Sequence, residues 1–155
     1  MLDYVNPTPY LFKGKYDFKF EKNKQKIFDN LVLAKDVSKH YNVEQPLMRG
    51  DALTSVVLMG TQYQPPHTWP EFRDFVEGWL PSRIGEIWET WRLESRVNNY
   101  ISESWLNVHP KGGWTAEHCH NRAIIAVSCY LNVPPNSGNL VVENPMQIYK
   151  CAEPM

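Results

Sequence analysis

Two histidines two positions apart, in Glu117-His-Cys-His-Asn121, form the one dense cluster of metal-binding side chains in this 155-residue sequence. In an extended strand successive side chains alternate faces, so His118 and His120 point one way while Glu117, Cys119 and Asn121 point the other. Ring nitrogens at i and i+2 can then converge on one ion at roughly 2.0–2.1 Å. The same spacing also suits an exposed strand face that binds nothing. Imidazole serves Fe, Cu, Ni and Zn alike, so the pair does not choose its metal. Cys119, on the opposite face, is expected to be a buried apolar thiol rather than a soft ligand. His67 is expected to be an ordinary loop histidine.

The elements that must position these side chains read as helices first and strands afterwards, with the change near residue 100. Ile27, Leu31, Ala34 and Val37 fall at helical spacing among lysines and aspartates, which predicts an amphipathic surface helix from Asn23 to His40. Leu53 to Met59 reads as a strand, ended by the breaker-rich Gln62-Tyr-Gln-Pro-Pro-His67. Thr68-Trp-Pro-Glu71 has the spacing of a capping box, with Pro70 suited to a first turn, so a helix is expected to start there. Phe72, Phe75, Val76 and Trp79 make one apolar stripe; Ile84, Ile87, Trp88 and Trp91 make a second beyond Pro81. Two short core-facing helices follow.

From Tyr100 the chain reads as short strands: Tyr100 to Val108, Trp114 to His120, Ile124 to Val133, and Leu140 to Glu143. The connectors Lys111-Gly-Gly113 and Pro134-Pro-Asn-Ser-Gly138 look like hairpin turns, each with glycine available for positive φ. Helices before strands, with no βαβ alternation, predict an α+β, mainly β fold: a jelly-roll core behind an N-terminal helical layer. In this reading residues 1–99 carry the helical layer and one strand, and residues 100–155 the β-rich portion, all within a single domain.

Composition narrows the function classes. At roughly 100–200 residues per domain the length suits one compact unit, large enough to fold without a disulfide or zinc staple. Sixteen Lys+Arg against 17 Asp+Glu leave a formal charge of -1, not the basic excess of a nucleic-acid binder. Three cysteines, Cys119, Cys129 and Cys151, cannot all pair and lack zinc-knuckle spacing, which points to a reducing compartment. No signal-peptide pattern opens the sequence and no 18 apolar residues run together, so a soluble cytoplasmic protein without membrane or nucleic-acid partners is expected.

The order Trp105-Leu-Asn107, Lys111-Gly-Gly113, His118-Cys-His120, Ser128-Cys-Tyr-Leu131 and Pro134-Pro-Asn-Ser-Gly138 resembles the 2-oxoglutarate/Fe(II)-dependent oxygenase-like proteins of bacteria and their phages. The likeness covers about residues 100–145, and the Trp69-Pro-Glu-Phe72 segment is similar to the helical layer that precedes the core in phage members. What the resemblance implies is a double-stranded β-helix holding Fe(II) at its open end. Three protein ligands on one face of the ion then leave room for 2-oxoglutarate and O₂. It implies metal ligation by His118 and His120, and cofactor-side positions at Asn107, Asn121 and Tyr130. Asn107 and Asn121 would orient an imidazole, unless each simply caps a turn. For a phage-encoded protein the implied location is the host cytoplasm.

Two departures from the family pattern stand out. His120 occupies a position where the wider superfamily has a carboxylate, and a neutral ring replaces a charge-balancing oxygen. None of the residues after His120 is a histidine, whereas the family has a distal histidine and, just beyond it, a basic residue for the cosubstrate. His40, His67 and His109 all lie upstream. The expectation is therefore a 2-oxoglutarate-dependent oxygenase acting on an unidentified small molecule or protein, or a truncated or split member of that family. The alternative is a non-catalytic jelly-roll module, for binding or viral assembly, with a degenerate metal site. An unclosed β-half would expose strand edges, so a partner chain or a homo-oligomer covering them is expected.

Overall fold

The computed structural model describes residues 11–42, 44–92, 99–120 and 123–142. Helix α1 runs from Phe20 to His40 and buries Asn23, Ile27, Leu31 and Ala34. The buried positions recur every three or four residues, as expected for one face of a helix against a core, while the lysines of the other faces remain solvated. The helix begins at Phe20, three residues before the expected start at Asn23. Its last turn carries Lys39 and His40, favourable at the negative end of the helix dipole.

Two two-stranded antiparallel sheets follow. Strand β1 (Met48–Arg49) pairs with β4 (Trp114–Thr115), and β2 (Leu53–Thr54) pairs with β3 (Asn107–Val108). The expected strand from Leu53 to Met59 is thus cut to two residues, and a 3₁₀ turn at Val56–Leu58 replaces the rest. The physical reason is visible at Ser55: its N–H donates to the Leu106 carbonyl at 2.8 Å, and its Oγ accepts from Leu106 N–H at 2.8 Å. A side chain thereby takes over the ladder position where the backbone turns away.

The expected hairpin about Lys111-Gly-Gly113 is a turn without a hairpin. Gly113 N–H donates to Pro110 O at 2.8 Å with Gly112 at φ 80°, but the flanking strands pair with β1 and β2 rather than with each other. At Pro134-Pro-Asn-Ser-Gly138 the turn also forms, closed by Ser137 N–H on Pro134 O, and Asn136 rather than glycine takes the positive φ. The longer strands expected over 100–108 and 114–120 are paired only in β3 and β4, and residues 123–142 run without ladder partners among the described residues. A strand exists only where a neighbour satisfies its N–H and C=O groups, however β-prone its side chains. Glu143 lies outside the described residues.

Between the sheets in sequence, the chain passes through 3₁₀ turns at Pro66–Thr68 and Pro70–Phe72 and a π-helical stretch at Asp74–Trp79 into helix α2 (Leu80–Thr90). The two predicted helices are therefore one nearly continuous helical course, with Pro81 at the junction where the π-helical stretch passes into α2. The capping box does not form. Thr68 Oγ1 donates to Pro65 O at 2.8 Å, and the Glu71 carboxylate instead meets Lys26 Nζ at 2.6 Å. The ammonium holds the Glu71 carboxyl below its ordinary range.

The core joins these pieces. Ile27 and Leu31 from α1, Trp69 and Phe72 from the turns, and Leu106 from the chain before β3 are all buried together, with Phe18, Val76, Val108 and Leu131 packed against them. Phe18 stacks on Phe72 with ring centroids 4.7 Å apart. Trp88 is buried on α2, whereas Trp79 is only half-buried beneath Tyr16 and Phe75. No helix among the described residues is long and apolar enough to cross a membrane.

Candidate metal centre

Strand β4 and the residues after it carry the histidine pair. Its register is set by Met48 opposite Thr115 and extended by Ala116 N–H donating to Leu47 O at 2.7 Å. Beyond Ala116 the chain leaves the ladder, so His118 and His120 stand on an exposed extended segment rather than in a paired strand. Their imidazoles are nevertheless adjacent: the ring centroids lie 4.9 Å apart with the planes at 78°. His118 Nδ1 is 2.9 Å from Ala116 O. An Nδ1–H donating to that carbonyl leaves the Nε2 lone pair available to an ion, the tautomer that metal-binding histidines commonly have fixed for them.

Trp105 packs beside His120, ring centroids 5.6 Å apart. It lies directly before buried Leu106, so the core anchors it, and it borders the outer imidazole with an apolar wall. Trp105 had no expected role beyond its place in a motif. Its backbone position next to a core residue was the only available signal.

The remaining candidates are placed apart from the pair. Asn107 is exposed on β3 opposite Thr54, and Tyr130 is 62% exposed. No hydrogen bond joins either residue to His118 or His120 among the described residues. Asn121 lies outside the described residues. Cys119 is exposed, not the buried thiol expected, because the strand that would have turned it inward is unpaired. His109 bonds through Nε2 to Thr115 Oγ1 at 2.7 Å, which ties it to β4 and the Met48 side chain. Among the described residues no group of three His, Cys, Asp or Glu side chains is placed to hold one metal ion.

His67 is more than a loop histidine. Its backbone N–H donates to Ser104 Oγ at 3.0 Å, and its Nδ1 lies 2.8 Å from the same oxygen. Burial pushes its pKa below the ordinary histidine value. These contacts span 37 positions in sequence and left no local signal. No family model, curated protein or solved structure matches this chain.

Proposed function

We propose that this chain is a 2-oxoglutarate- and Fe(II)-dependent oxygenase of double-stranded β-helix type, acting in the cytoplasm. The observation that carries the reading is the adjacency of the His118 and His120 rings together with the Ala116 carbonyl beside His118 Nδ1. His118 and His120 would hold the iron, and the donor set fits to that extent: two adjacent imidazoles, one with its outer nitrogen presented. When bound, Fe(II) with 2-oxoglutarate and O₂ supplies the oxidation of a substrate C–H bond. What the chain itself does is orient His118 through Ala116 and border His120 with Trp105. The cofactor-side roles of Asn107, Asn121 and Tyr130 belong to the same proposal.

The stretch from Ala123 to Val142 contains no charged residue, and Ile124, Tyr130 and Val141 are 68%, 62% and 79% exposed. Unpaired β-prone chain of this kind favours a covering strand from a partner chain or a second copy. A second reading, a non-catalytic module for binding or viral assembly, is favoured by one observation: no third ligand accompanies the pair among the described residues.

Bound-iron stoichiometry and succinate release from 2-oxoglutarate test both readings. For the 155-residue chain alone we expect loosely held iron and turnover far below that of an intact oxygenase, since two imidazoles do not fix a facial geometry. Succinate formation that stops on His118→Ala would place the third ligand at His109, Glu143 or a neighbouring copy and overturn the expectation of weak turnover. Iron that does not bind at all would reject the oxygenase.

A further inference from the structure

Residues 11–17 cross the aromatic face of the helical course, and alternate positions make the contact. Phe12 meets Trp91 edge-on with ring centroids 5.9 Å apart, and Tyr16 meets Phe75 at 5.1 Å and Trp79 at 5.8 Å. Gly14, between them, lies against the same Trp79 ring: a Cβ there would sit 2.8 Å from its Cη2 and Cζ2 atoms. Gly14 has no positive φ, so glycine serves here for close approach to the ring rather than for backbone conformation. Leu11, Lys13, Lys15 and Asp17, at the positions between, are exposed.

The segment is held to the helical course by rings alone. Among the described residues no backbone hydrogen bond joins 11–17 to another element; the Asp17–Lys19 ion pair and the bond from Phe18 N–H to Tyr16 O at 3.1 Å are both local. None of these seven residues is buried, and Phe12 is 40% exposed. Firm attachment begins at Phe18, which stacks on Phe72 and packs against the core. A segment with few buried contacts and no backbone ladder opens at a much lower free energy than the fold it rests on. The face beneath it keeps its own order, since Phe75 and Trp79 stack on each other at 5.4 Å within the π-helical stretch.

We propose that residues 11–17 form a strap, hinged at Phe18, that opens as a unit while the rest of the chain stays folded, and that its opening presents Phe75, Trp79 and Trp91 as a stacking surface. Gly14 is the close-fitting point of the closed state. The strap is independent of the histidine pair, and its test does not depend on iron or on oxygenase activity.

The experiment is limited trypsin digestion of the full chain under native conditions, read by mass, with ¹⁹F NMR of the undigested protein carrying 5-fluorotryptophan. Trypsin should cut after Lys13 and Lys15 before any cut in α1, at a rate that low urea leaves nearly unchanged, because a local opening exposes little surface. A methyl group at position 14 has no room against the Trp79 ring. Gly14→Ala should therefore raise the cleavage rate by about tenfold, since cleavage follows the open population and about one aromatic contact is lost. The same variant should shift the Trp79 and Trp91 fluorine signals and leave that of Trp69, in the core, in place. Leu11→Ala, at an outward position, should change neither readout. Should Gly14→Ala fail to fold, Phe12→Ala removes the outermost ring contact and should raise the rate by a smaller factor. Cuts at Lys13 and Lys15 that appear only together with cuts in α1 and share their urea dependence would overturn the proposal. So would a Gly14→Ala chain whose cleavage rate and Trp79 signal match the parent's.

Discussion

His67 and Ser104 are joined twice: Ser104 Oγ accepts the His67 backbone N–H at 3.0 Å and lies 2.8 Å from its Nδ1. The oxygen keeps a second lone pair for an Nδ1–H and a hydroxyl proton for a bare Nδ1, so the contact suits either neutral tautomer of the ring. One serine thus holds the turn at Pro66–Thr68 against the chain leading into β3. Ser104→Ala should destabilise the fold by about 1–3 kcal/mol, since it strands a partly buried amide and an imidazole nitrogen. A chemical-denaturation midpoint unchanged from the parent would show that water replaces the hydroxyl without loss.

The same ring sets a pH dependence. Burial lowers the folded-state pKa of His67 below its ordinary value of 6.5, so the folded chain resists a proton that the unfolded chain accepts. Where the unfolded state binds more protons, stability rises with pH. The contribution is therefore complete above the unfolded value and is lost as pH falls below it. Thermal midpoints compared between the parent and His67→Gln across that range should show a difference that shrinks on acidification. A difference independent of pH would refute the neutral-ring assignment.

For the histidine pair, His118→Ala and His120→Ala should each remove most bound divalent metal, and His67→Ala should remove none. Elemental analysis of the purified variants decides it. Equal metal in all three would place the ion elsewhere.

Trp88 and Trp79 should separate in their effects. Trp88 is 7% exposed, and Trp88→Ala should cost about 3–5 kcal/mol, the usual range for a buried large aromatic. Trp79 is half-buried, so Trp79→Ala should cost visibly less. Trp88 Nε1 is also buried without a hydrogen-bond partner, so Trp88→Phe removes an unsatisfied donor and should recover most of the loss. Urea unfolding of the three variants gives the ranking, and equal losses for Trp88→Phe and Trp88→Ala would contradict it.

Glycine substitutions test the mini-sheet that leads to the site. Gly50 has φ 61°, and a Cβ there would sit 2.8 Å from the Gly112 carbonyl oxygen; Gly60 has φ 71° with open space around it. Gly60→Ala should cost about 1–2 kcal/mol from backbone conformation alone. Gly50→Ala adds a clash with backbone and should cost more, with loss of the β1–β4 pairing in hydrogen exchange. Equal costs would mean that the turn at Gly112 yields freely.

Periodicity and local chemistry alone determined helix α1, the apolar stripes leading into α2, the two turns at 110–113 and 134–137, and the spacing that lets His118 and His120 meet. Each depends on residues within one or two turns of each other, where side-chain direction follows from the backbone period. Tertiary structure alone decided which strands exist. Leu53-Thr54 became β2 because Asn107-Val108 lies beside it, while the equally β-prone Ile124 to Val133 has no neighbour to pair with among the described residues. It also decided against the capping box: Lys26, 45 positions away, drew the Glu71 carboxylate to itself. The His67–Ser104 clamp, the Trp105–His120 contact and the exposure of Cys119 are likewise outcomes of packing. In each case the partner is set by what the core brings alongside, and a sequence pattern records which groups need partners without recording which partners arrive.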